Sequence, residues 1–147
     1  MSAQTNERLV RSTFDAFNAH NFDEAARHVA DKCEWRSIPT GELFRGPDGM
    51  RQFMQFWVSA FKDARVDVKR VIATDTHVVT EFIGRGTHTG TLETPAGSIP
   101  ATNRRVEVPY CEVATIENGK FVSGATYFDT TTIMQQLGVT ELAGAHK

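Results

Sequence analysis

The sequence has no apolar run longer than a few residues, whereas a helix that crosses a bilayer needs about 20. Its opening, MSAQTNERLVRS, is polar and lacks the apolar centre of a secretory signal. A soluble, cytoplasmic protein is therefore expected. Cysteine is scarce: Cys33 and Cys111 are the two in the chain, and they form no Cys-x-x-Cys pair. In a reducing compartment they read as two buried thiols rather than a disulfide or a catalytic centre. Excess charge is also missing. The 16 Lys and Arg against 18 Asp and Glu leave a net charge of −2. That balance offers nothing to nucleic acid or to an anionic membrane surface. No Gly-x-Gly-x-x-Gly, Gly-Lys-Ser/Thr phosphate loop, His-Glu-x-x-His or Gly-x-Ser-x-Gly occurs. Nucleotide, haem and structural zinc are left without support, and no cofactor or metal is expected.

What the chain does have is a change of period. With 147 residues, 40% of them hydrophobic, it suits one domain over residues 1–147, with a frayed tail from about residue 141. Leu9, Val10, Thr13, Phe14 and Phe17 share one helical face, with Thr5 as the candidate N-cap. A short second helix places Phe22, Ala25, Ala26 and Val29 inward, and His20 in the turn between them is expected to be solvated or capping. Cys33, Trp35 and Ser37 alternate on one face of a short strand. Residues 39–46 read as a loop. Gly46-Pro47-Asp48 opens a third helix, on which Met50, Phe53, Met54, Trp57 and Phe61 form one apolar stripe.

From Ala64 the period becomes 2. Residues 65–73 form a strand with Val66, Val68 and Arg70 on one face and Val71 on the other. Residues 78–89 form a longer strand, with Val78, Thr80, Phe82, Gly84, Gly86 and His88 on one face. Two glycines on that face suggest a bend or a close approach by another group. Residues 91–104 read as a loop that could close over a site. Residues 105–128 form two long antiparallel strands joined at Asn118-Gly119, since both central residues of such a turn need positive φ. Asp129 then opens a terminal helix that Gly138 closes. Helices ahead of an antiparallel sheet place the chain in the α+β class.

Few residues are placed for chemistry. Asp129 is either the N-cap of the terminal helix or a general acid/base; donors to a capping carboxylate would stabilise its charged form, whereas an apolar pocket would raise its pKa. Alternation through residues 121–129 puts Tyr127 and Asp129 on one face with Phe121, Ser123 and Ala125. His88 shares a face with Phe82. Tyr110 and Glu112 share a face with Val106, Val108, Ala114 and Ile116, and an acid in that company requires a partner, for which His88 or an arginine is the candidate. One His, two acids and one Tyr on three strands suit proton transfer without a cofactor. They equally suit a pocket that only binds.

Together these features resemble the SnoaL-like polyketide cyclases, or ester cyclases, of the nuclear transport factor 2-like superfamily. The residues that carry the resemblance are Phe14, Phe17 and Asn18-Ala-His-Asn21, Phe44-Arg-Gly-Pro-Asp-Gly49 before an aromatic helix, Gly86-Thr-His-Thr-Gly90, Asn118-Gly-Lys-Phe121, Tyr127-Phe-Asp129 and Gln136-Leu-Gly138. The resemblance implies a cone-shaped α+β barrel: a strongly curved antiparallel sheet wrapped around helices, with a deep apolar pocket. It implies a homodimer through the outer sheet face and, without a cofactor, an intramolecular aldol closure or related proton transfer on a small hydrophobic carbonyl compound. By position Asp129 would be the acid/base, and His88 or Tyr110 would hold the enolate oxygen. Trp35, Phe53, Trp57, Phe82 and Tyr127 would form the apolar wall, with Tyr110 and Glu112 also in the pocket. The same cone serves isomerases, dehydratases, hydrolases and binding modules, so a non-catalytic ligand-binding or dimerisation module is the principal alternative. A hydrolase or dehydratase with a water between Asp129 and Glu112 is a further one.

Overall fold

The computed structural model describes residues 2–139; the tail expected from about residue 141 lies outside them. Helix α1 (Ala3–Asn18) begins one turn earlier than the spacing suggests, because Ser2 rather than Thr5 is the N-cap and its side chain accepts from the Thr5 N–H. Helix α2 (Phe22–Ala26) follows, then strands β1 (Val29–Ser37) and β2 (Leu43–Arg45), helix α3 (Gly46–Ala60), and strands β3 (Arg65–Ala73) and β4 (His77–Thr87). A hairpin, β5 (Leu92–Thr94) and β6 (Gly97–Ile99), precedes β7 (Arg105–Glu117), β8 (Lys120–Phe128) and helix α4 (Thr130–Leu137). The expected loops at 39–46 and 91–104 thus contain the short strands β2, β5 and β6.

Six strands form one sheet in the order β2-β1-β8-β7-β4-β3, while β5 and β6 pair separately. All neighbours in the large sheet are antiparallel except β1 and β8, which are parallel. Asn118 and Gly119 take φ of 53° and 73°, the paired positive values of the Asn-Gly turn.

Two of the sheet's three register shifts overturn simple alternation. Opposite Thr115 and Ile116, β8 spends Phe121, Val122 and Ser123 where β7 spends two residues. This bulge reverses the alternation of β8. Phe121 faces the core, but beyond it Gly124, Thr126 and Phe128 point inward and Tyr127 points out, 45% exposed. A second bulge at Lys69 separates the Val68–Phe82 pair from the Arg70–Glu81 pair. It turns Arg70 outward and brings Val71 and Ala73 onto the core. Simple alternation misassigned both stretches.

Helix α1 is tied to the sheet by polar clamps at both ends. Buried Asn6 donates to the carbonyls of Thr74 and Asp75. Asn18 donates to the Val66 carbonyl and accepts its N–H, and His20, exposed in the turn as expected, also lies with Nε2 2.8 Å from the Ala64 carbonyl. Cys33 is buried and Cys111 half-buried; both are free thiols. No helix among the described residues is long and apolar enough to cross a membrane.

Candidate functional site

The inner sheet face, α1 and α3 enclose a chamber with about 110 Å³ of space for the centres of water-sized spheres. At roughly 10–15 Å³ per water this is space for on the order of ten small-molecule heavy atoms. Its walls are apolar almost throughout: Phe14, Trp35, Phe53, Trp57, Phe82 and Phe121 among others. A few polar side chains interrupt them, among them Tyr110, Glu112 and Thr126 on the adjacent strands β7 and β8.

Each member of that group is placed by register. Glu112 on β7 faces Thr126 on β8 and Thr80 on β4. Trp35 on β1 pairs with Gly124, one inward position before Thr126. The indole needs that glycine, since a Cβ there would sit 2.2 Å from Trp35 Cζ3. Trp35 Nε1 donates to Thr126 Oγ1 at 2.7 Å, and Thr126 Oγ1 donates to Glu112 Oε2, also at 2.7 Å. The relay fixes one carboxylate oxygen. Glu112 Oε1 has no protein partner among the described residues, yet it is not a sealed orphan atom, so it opens to the chamber.

Burial dominates the electrostatics of Glu112. Desolvation pushes its pKa up from 4.5 to about 7, although the Thr126 hydroxyl opposes the change. A shift of that size is about 3 kcal/mol. The carboxyl can therefore exchange a proton near neutral pH. Tyr110 lies two residues away on the same face. Its ring stacks on Phe82 at 5.1 Å and 2° and meets Trp57 edge-on at 5.7 Å. Gly84 leaves room for it, because a Cβ there would approach Tyr110 Cε1 to 2.7 Å. Burial, and secondarily Glu112, raise the Tyr110 pKa, so the hydroxyl stays protonated and can donate.

The other expected site residues lie elsewhere. Asp129 is exposed and caps α4: it accepts from the Thr131 N–H at 2.9 Å and the Thr132 hydroxyl at 3.0 Å, and it does not line the chamber. Tyr127 is carried to the outer face by the β8 bulge. His88 is fully buried but outside the chamber. Its ring packs against Phe61 at 5.4 Å with a 38° tilt, accepts from the Thr102 N–H at Nδ1, and its backbone exchanges hydrogen bonds with Arg104 and Asn103. Its role is to pin the base of the β5–β6 hairpin, and burial lowers its pKa. The partner expected for Glu112 was His88 or an arginine; it is Thr126. That residue was missed because unbroken alternation from Phe121 puts it on the outside. Trp35, Phe53, Trp57, Phe82, Tyr110 and Glu112 do converge on the chamber. Among the described residues no group of three or more His, Cys, Asp or Glu could hold a metal ion.

The family model of the SnoaL-like polyketide cyclases matches residues 7–137. The chain belongs to that family. None of the curated proteins matches it. Among solved structures, TsrD from Streptomyces laurentii is 21% identical, with a TM-score of 0.80 over 94% of this chain and 98% of its own. IdmH from Streptomyces antibioticus, provisionally classed as a polyketide cyclase, is 23% identical, with a TM-score of 0.74 over 90% of this chain and 98% of its own. A protein from Catenulispora acidiphila with a ketosteroid isomerase-like fold, bound to trimethylamine, is 14% identical, with a TM-score of 0.75 over 89% and 92%. At these identities the structures establish the shared fold, a curved sheet wrapped by helices, and leave the reaction to the site.

Proposed function

We propose that this SnoaL-like protein is a cofactor-independent acid–base catalyst, cyclase-like in its chemistry, that acts on a small apolar carbonyl compound. Glu112, rather than Asp129, is its proton carrier. The observation that carries this reading is a carboxyl held by one oxygen through Trp35 and Thr126, open at the other, with a pKa raised to about 7 inside an apolar chamber.

In the ionised form Glu112 removes a proton from the carbon α to the substrate carbonyl. The electron pair of that C–H bond becomes the enolate C=C bond as the carbonyl π pair moves onto oxygen, and the Tyr110 hydroxyl donates to that oxygen. In a ring closure the enolate carbon attacks a second carbonyl carbon of the same molecule. The new alkoxide then takes the proton back from the Glu112 carboxylic acid. Proton and charge balance without an added reagent. If the enolate is instead reprotonated at another carbon, the same residues perform an isomerisation.

Exchange of α-hydrogen for solvent deuterium in an apolar aromatic β-keto methyl ester reports the first step directly. Wild type and Asp129→Asn should catalyse it alike, whereas Glu112→Gln should lose it by at least about a hundredfold. Loss in Asp129→Asn with retention in Glu112→Gln would return the catalytic role to the helix cap. Tight ligand binding with no exchange in wild type would favour a binding module.

A homodimer through the outer sheet face belongs to the same proposal. Val79, Val113 and Ala125 stand in register across that face, next to the row of Glu81, Cys111 and Tyr127. Sedimentation of wild type as a dimer and of Val113→Arg as a monomer would support it; a monomeric wild type would refute it.

A further inference from the structure

A second hollow lies against the catalytic chamber. It has about 270 Å³ of space for water-sized centres and is enclosed by the β5–β6 hairpin, α3, α4 and the turn after β1. Phe53, Trp57 and Ile133 line both hollows, so the two share one wall. Trp57 is the centre of that wall. On the inner side its ring meets Tyr110. On the outer side it meets Phe128 at 5.3 Å and Phe56 at 5.0 Å, two rings that line the outer hollow and not the inner one. The two tryptophans differ in what holds them. Trp35 is buried and hydrogen-bonded through its ring nitrogen. Trp57 is half-buried, and its ring nitrogen has no hydrogen bond among the described residues. Ring packing against Tyr110, Phe128 and Phe56, with no polar anchor, is what holds Trp57 between the two hollows.

The hollows differ in chemistry. The charged residues lining the outer one are Glu42, from the turn after β1, and Glu93, from the hairpin; Ser37, Thr40, Thr94 and Thr130 add hydroxyls. The hairpin that roofs it is fixed at its base, where the Thr89 and Gly90 N–H groups both donate to the Ala60 carbonyl. The roof is thus a built wall rather than a loose loop, and the indole is the partition between the hollows.

We infer that the substrate is a two-part molecule: a compact apolar carbonyl head that passes Trp57 to reach Glu112, and a neutral or cationic tail, bearing hydroxyl or amine groups, that stays in the outer hollow. This rests on the reading of Glu112 given above. Glu42 and Glu93 select against an anionic tail by like-charge repulsion, and the Trp57 indole sets where head ends and tail begins.

Phenol and its 4-butoxy derivatives test this by fluorescence titration of the full chain. Phenol is a head with a hydroxyl for Glu112; the derivatives end their four-carbon chain in a hydroxyl, an ammonium or a carboxylate. The hydroxyl and ammonium tails should tighten binding at least about tenfold over phenol, since each buried CH₂ contributes about 0.8 kcal/mol. The carboxylate tail should bind more weakly than the hydroxyl and ammonium tails by at least about threefold, and the double variant Glu42→Gln/Glu93→Gln should close that gap. In Trp57→Ala, with Trp35 as the reporter, phenol should enter at least about tenfold faster by stopped flow. Tails that leave affinity unchanged in wild type, or a carboxylate tail that binds as well as the amine, would overturn the inference while leaving the inner site intact. Phenol that fails to quench Trp35 at all would remove the inner-site reading and this inference with it.

Discussion

Replacing Glu112 with glutamine should stabilise the protein, by an amount that depends on pH. In the unfolded chain the carboxyl loses its proton near 4.5; in the native protein burial holds the proton until about pH 7. Between those values the native state binds more protons than the unfolded one, so stability falls as pH rises. Below pH 4.5 the neutral acid costs little. Above about 7 the native state carries a charge in an apolar chamber, at a cost of about 3 kcal/mol. Glutamine keeps the shape, and its carbonyl can still accept from Thr126, but it never ionises. Urea unfolding at pH 4 should therefore give nearly equal stabilities, whereas at pH 8 Glu112→Gln should lead by about 3 kcal/mol. For a chain of this size that is a rise in melting temperature of roughly 6–12 °C. A difference that is the same at both pH values would refute the burial argument, and with it the source of the reactive pKa.

Other substitutions have expected outcomes of their own. Asp129→Ala should cost about 1 kcal/mol, the loss of one helix cap, with α-proton exchange unchanged; a collapse of exchange would contradict the placement. Gly124→Ala should destabilise by about 3 kcal/mol or more, because its methyl would overlap the Trp35 ring, and near-ultraviolet circular dichroism should report the displaced indole. His88 has a lowered pKa from burial, so the unfolded state takes up its proton first and stability should fall as pH drops below about 6.5. His88→Gln should flatten that part of the profile; an unchanged slope would assign the acid sensitivity to other groups.

Much of this was legible in the sequence where a single physical rule acted alone. The helix faces, the Asn118-Gly119 turn and the inward set from Val106 to Ile116 follow from periodicity, and they place Tyr110 and Glu112 correctly. The glycines of β4 marked a close approach, which proved to be the Tyr110 ring over Gly84. The errors arose where a non-local constraint intervened. One extra residue in β8 carried Tyr127 outward and Thr126 inward, and the position of that bulge is set by pairing with β7 rather than by β8 itself. His88 sits on the expected face, but β4 ends at Thr87 and the histidine turns to the hairpin base. Asp129 had two readings, and the one visible in the local sequence, a cap before Thr130–Leu137, is the one its hydrogen bonds display.

The most direct measurement of the account is the pH dependence of α-proton exchange in wild type, set against Glu112→Gln. With Glu112 as the base, the rate should rise with pH through a midpoint near 7 and level off above it, and the variant should lack that rise. A rate independent of pH from 5 to 9, or a midpoint in the ordinary carboxylate range with Glu112→Gln still active, would contradict it.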